Sequence, residues 1–104
     1  MHDAVTTKLN DTLKELYHMA IDADKKLAEL RTKGQAKFSA VLREDSQFIT
    51  HTDHFLPYVA ELAEELEILV TVSEQEYQAL LSRMVHKIQL LAETLQQFMR
   101  LPSA

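Results

Sequence analysis

The chain has no cysteine and no tryptophan, and only one glycine and two prolines in 104 residues. Each scarcity removes a class of protein. Without cysteine there is no disulfide frame, thiolate nucleophile or thiolate zinc site, which fits a reducing compartment. An all-β chain of this length needs turn residues at every strand reversal, and Gly34, Pro57 and Pro102 are too few to supply them. No run approaches the roughly 18 apolar residues that span a bilayer, and Met1 to Lys8 lacks the apolar stretch behind a basic start that marks a leader. A cytoplasmic protein with no membrane association is expected.

Positive charge is missing from the middle of the chain. Between Arg43 and Arg83 there is no Lys or Arg, whereas Glu44, Asp45, Asp53, Glu61, Glu64, Glu65, Glu67, Glu74 and Glu76 accumulate. The formal charge of −5 therefore hides two mildly basic ends around an acidic centre that repels phosphate.

What is present is helical periodicity. Apolar residues make up 46% of the chain, enough to bury a core without metal or disulfide, so one unit over residues 1–104 is expected. From Val5 the stripe runs Leu9, Leu13, Leu16, Ala20, Ala23, Leu27 and Leu30 in steps of three and four, with Tyr17, Met19 and Ile21 widening it. Gly34 after Lys33 reads as a C-terminal stop, so this first long helix should end near residue 33.

Phe38, Val41, Leu42, Phe48 and Ile49 suggest a shorter second helix from about residue 35 to 50. Thr52 or Asp53 is expected to cap a third helix, with Pro57 in its first turn, and the spacing leaves open whether the second and third form one bent rod. In the third, Val59, Leu62, Ala63, Leu66, Leu69 and Val70 face inward and Glu61, Glu64, Glu65 and Glu67 face water. Ser73 followed by Glu76 is a capping box, and Val72 with Tyr77 has the spacing of a hydrophobic staple. The last helix carries Tyr77, Leu80, Leu81, Met84, Ile88, Leu91, Leu95 and Phe98 and should stop at Leu101 and Pro102. The expected fold is all-α, an antiparallel bundle of three to four helices with long first and last helices. Val85, Leu90, Ala92 and Met99 lie off the stripe of the last helix, which places it centrally or pairs it with a second copy of the chain.

Candidate chemistry is thin. His51, Asp53 and His54 are nitrogen and oxygen donors of the kind zinc or iron takes, but this run falls where a polar turn is needed and no Glu-x-x-His motif supports it. His18 and Asp22 stand four apart, a spacing at which a carboxylate orients an imidazole; an exposed pair on a helix explains them as well. There is no phosphate loop and no nucleophile elbow. No catalytic residue, cofactor or metal is assigned, and a non-enzymatic module that binds a protein partner is expected. Two surfaces suit such a partner. Lys25, Lys26, Arg31, Lys33 and Lys37 with Phe38 would gather an acidic peptide; Glu61, Glu64 and Glu65 would meet a basic one.

Phe48, Thr50, Phe55, Tyr58, Val59, Glu61, Leu66 and Leu69, followed by Met84, Ile88 and Leu91, resemble in their spacing the N-terminal helical part of the PriC family of primosomal replication-restart proteins. Ala36, Lys37 and Phe38 are similar to an aromatic motif of that family. The likeness covers roughly half the chain. It implies an adaptor that helps reload a replicative helicase through contacts with the helicase and the single-strand binding protein. Family members continue into a basic C-terminal region, whereas this sequence stops at Ala104 behind an acidic centre, so direct contact with nucleic acid is not expected. The alternative is a small helical chaperone or regulator, of phage or mobile-element type, that holds a basic partner against the acidic third helix.

Overall fold

A computed structural model of the chain describes residues 3–34 and 47–101. Among the described residues there are three helices and no strand: α1 (Asp3–Thr32), α2 (Leu56–Leu69) and α3 (Glu74–Met99). The first and last are long, as the apolar stripes require; α1 extends about 45 Å at 1.5 Å per residue.

Every stripe residue of α1 from Leu9 to Leu30 is buried. Ala20 and Ala23 are fully covered, and their small side chains let the other helices approach the α1 backbone closely. The helix ends where Gly34 takes φ +71°. Its amide donates to the Arg31 carbonyl at 2.9 Å, closing the last turn in a conformation that costs an L-residue roughly 1–2 kcal/mol.

Pro57 occupies the first turn of α2, where its missing N–H costs nothing, and a chain break falls before it as expected. The turn from α2 into α3 is tight, with the Thr71 and Val72 amides both donating to the Ile68 carbonyl. Ser73 caps α3, its hydroxyl accepting from the Glu76 amide at 3.4 Å, and Val72 packs into the same apolar cluster as the buried Tyr77. So short a link forces α2 and α3 antiparallel.

Two apolar clusters fix the direction of all three helices. Leu9, Leu69, Tyr77 and Met84 meet at one end; Leu27, Leu30, Phe55, Leu91, Leu95 and Phe98 belong to the other cluster. The helices therefore run up, down and up, with α2 antiparallel to both of its neighbours. The segment before α2 closes over the core by means of Phe48, whose ring stands edge-on to Tyr58 at 5.1 Å, and of Phe55, packed at 5.2 Å on Phe98.

Several details differ from the periodicity. Most of the helix expected at 35–50 lies outside the described residues, and its final part, 47–50, is not helical. Ala63 and Val70 face outward because α2 turns its Tyr58, Val59, Leu62 and Leu69 side to the core. Tyr17 and Ile21 are likewise on the surface. The off-stripe residues of α3 divide: Leu90 and Ala92 pack against the core, while Val85 and Met99 are about 40% exposed.

Candidate functional site

The charged residues nearest the core act first on the fold. Neither Thr52 nor Asp53 caps α2. The cap position is Phe55, which has no side-chain acceptor, and the acceptor comes from α1 instead. The two oxygens of Asp24 take the amides of Phe55 and Leu56 at 2.6 and 3.1 Å. These are two of the donors a helix start leaves without internal partners, and a carboxylate there also meets the positive end of the helix dipole.

Two residues further on, Lys26 reaches the opposite kind of helix end. Its ammonium donates to the carbonyls of Phe98 and Met99, each at 3.2 Å, and to that of Leu101, so it satisfies the C-terminus of α3. The same nitrogen lies 5.5 Å from the centre of the Phe98 ring.

The third arrangement lies between α2 and α3. Lys87 is 2% exposed, and its nitrogen is 2.5 Å from both Glu61 Oε2 and Glu65 Oε1. The Phe48 ring covers it, 4.6 Å away at the centroid. Glu61 also accepts from the Ile49 and Thr50 amides at 3.0 and 2.7 Å. Burial alone would raise the Glu61 pKa, but the hydrogen bonds from Lys87, Thr50 and Ile49 together outweigh it, and the pKa sits below the ordinary 4.5. Glu61 thus ties three parts of the chain together: α2, α3 and the strap that carries Phe48.

These findings redistribute the residues singled out for partner binding. Lys26 is buried at the end of α3. Arg31 reaches the loop, donating to the Asp53 carbonyl at 2.6 Å and pairing with its carboxylate at 3.3 Å. Lys25 and Lys33 are exposed, and Lys37 and Phe38 lie outside the described residues. On the acidic side, Glu61 and Glu65 turn inward to Lys87, which leaves Glu64 exposed with Glu67 beside it. The acidic face expected on α2 is consequently half consumed by the interior.

The histidine run is placed as a polar turn. Asp53 lies between Arg31 and His54, whose Nδ1 is 2.7 Å from Asp53 Oδ1. Among the described residues no three His, Asp or Glu side chains converge as metal ligands would. His18 stands edge-on to Tyr17 at 5.8 Å on the exposed side of α1.

What remains open on the surface is a groove that sequence reasoning did not single out. It lies between the N-terminal half of α1 and the middle of α3, encloses about 480 Å³, and is lined by Ala4, Val5, Lys8, Leu9, Thr12, Leu81, Val85, Ile88 and Gln89. Leu9 forms its floor; Val5, Leu81 and Ile88 are half-buried, and Val85 stands 41% exposed on the rim. The off-stripe position of Val85, four residues from Leu81 and three from Ile88 on the flank of α3 toward α1, was the available signal. A second groove, of about 390 Å³ between α1 and α2, is lined with more polar groups, including Asn10, Lys14, His18 and Glu67. No helix among the described residues is long and apolar enough to cross a membrane. No family model, curated protein or solved structure matches the chain.

Proposed function

We propose that this chain is a non-enzymatic protein-interaction module that docks a partner in the apolar groove between α1 and α3. The observation that carries this reading is the groove itself. Val5, Leu81, Val85 and Ile88 line a concave apolar strip between two helices, which is what an added helix fills. The buried Lys26 and Lys87 and the half-buried Asp24 and Glu61 support it from the other side, because their hydrogen bonds are spent within the fold.

The finer reading, an adaptor in replication restart, comes from the PriC-like spacing of Phe48, Thr50, Phe55, Tyr58, Val59, Glu61, Leu66 and Leu69. Those residues include the Phe48 strap, Tyr58 and the Glu61 carboxylate that pins the strap, so the resembling positions are the ones that close the bundle. The competing reading, a chaperone or regulator that holds a basic partner on α2, has Glu64 and Glu67 left to work with.

Affinity capture from the native host tests the interaction reading, with the intact chain and Val85→Glu as paired baits. Partners held by the first and lost by the second support it; identical captures contradict it. For the adaptor form, the chain is titrated with the acidic C-terminal tail of a single-strand binding protein and with the replicative helicase. Saturable binding to either supports that form, and its absence with both removes it.

A further inference from the structure

The groove has unlike walls, and their chemistry specifies the occupant. On the α3 side the lining residues Leu81, Val85, Ile88 and Gln89 carry no charge. On the α1 side the groove shares Ala4, Lys8 and Thr12 with an adjoining shallow surface, where Asp3, Asp11 and Glu15 are also exposed. Three carboxylates thus face one ammonium along a single flank. Asp11 and Glu15 are one turn apart and of like sign; Lys8 and Lys14 each stand one turn from Asp11 and offset part of that repulsion, while Glu15 has no Lys or Arg three or four residues away.

We propose that the groove receives an amphipathic helix of another protein, with its apolar stripe on Leu81, Val85 and Ile88 and with Lys or Arg along the one flank that meets Asp11 and Glu15. This rests on the reading of the groove as the docking site and adds to it the chemistry and orientation of the partner. The uncharged α3 wall accepts the polar, neutral flank of that helix, so the two walls admit the occupant in one orientation and disfavour the reverse. A second copy of this chain fits less well, because the same face offers only Lys8 to the carboxylates. The groove spans the turns from Ala4 to Thr12, about 12 Å of helix, so the contact is short and the complex is of the transient kind.

The test uses the whole chain, isotopically labelled for NMR, and three synthetic helical peptides with the same apolar stripe. One carries lysines on a single flank, one carries glutamates there, and one has the lysines moved to the opposite flank. The single-flank lysine peptide should bind with micromolar affinity and shift the resonances of Val5, Leu81, Val85 and Ile88. The glutamate peptide should bind at least tenfold more weakly, and Asp11→Lys with Glu15→Lys in the chain should reverse that order. Equal binding of the lysine and glutamate peptides, or shifts confined to the outer face of α2, would overturn the proposal. So would sedimentation showing a dimer that Val85→Glu dissociates. The two readings fail separately: a partner lost by Val85→Glu but kept by the Asp11 and Glu15 variants leaves the docking site standing and removes the basic flank.

Discussion

Asp24 and Lys26, two residues apart on α1, terminate two different helices: the carboxylate holds the first amides of α2 and the ammonium holds the last carbonyls of α3. Because α2 runs down and α3 runs up, the start of α2 and the end of α3 lie together beside the same turn of α1. One stretch of α1 thereby sets the axial position of both other helices, each with the sign of charge that its dipole favours.

Removing the carboxylate should uncouple α2 from α1. Asp24→Ala is expected to destabilise the protein by about 1–2 kcal/mol, the usual worth of a helix cap, with Asn recovering part of the loss because its amide oxygen still accepts. Urea unfolding followed by circular dichroism measures both variants, and a cost below about 0.3 kcal/mol for Ala would show that the two amides are satisfied by water.

For Lys26 the informative substitution is Met, which keeps the apolar stem but removes the donors. The carbonyls of Phe98, Met99 and Leu101 lose the ammonium, Phe98 keeping the Leu101 amide, and a loss of about 1.5–3 kcal/mol follows, the range for hydrogen bonds to a charged group. Amide exchange should quicken first in the last turn of α3. Uniform quickening along the helix would contradict a local role.

Lys87 makes the sharper prediction. Its removal in Lys87→Met leaves Glu61 and Glu65 facing each other without a cation, and breaking such a pair costs about 3–5 kcal/mol at neutral pH. The deficit should shrink as the pH falls through the carboxylate range, because protonation relieves the two acids in the variant. A deficit that is the same at pH 7 and pH 4 would show that lost packing, and not charge, is responsible.

In the wild type the sign is the reverse. Glu61 has a pKa below its ordinary 4.5, so its contribution is fully present above that value and is lost as the pH falls through the lower, folded one. Acid should therefore free the strap of Ile49 and Thr50 before the bundle unfolds, and Glu61→Gln should flatten the acid limb of the stability curve. Parallel acid limbs for wild type and variant would remove Glu61 from that role.

The positions with a periodic cause could be read from the sequence. The α1 stripe, the stop at Gly34, the break before Pro57 and the Ser73 cap each follow from spacing within one segment. The partners across the bundle could not, since Asp24, Lys26, Glu61, Glu65 and Lys87 belong to residue types that usually face water. A trace of them was nonetheless present. Lys26 falls three residues after Ala23 and four before Leu30, and Lys87 falls three after Met84 and four before Leu91. Both lysines occupy stripe positions, where a charge must find a buried partner. Two glutamates one turn apart, Glu61 and Glu65, were the match for Lys87 on α2, and only the fold brought them together.

The docking claim is tested most directly by mapping a partner captured from the native host onto the labelled chain by NMR. The account predicts perturbation and slowed amide exchange at Val5, Leu81, Val85 and Ile88, with the outer face of α2 at Glu64 and Glu67 unchanged. Perturbation centred on Glu64 and Glu67, with the α1–α3 groove unaffected, would contradict it.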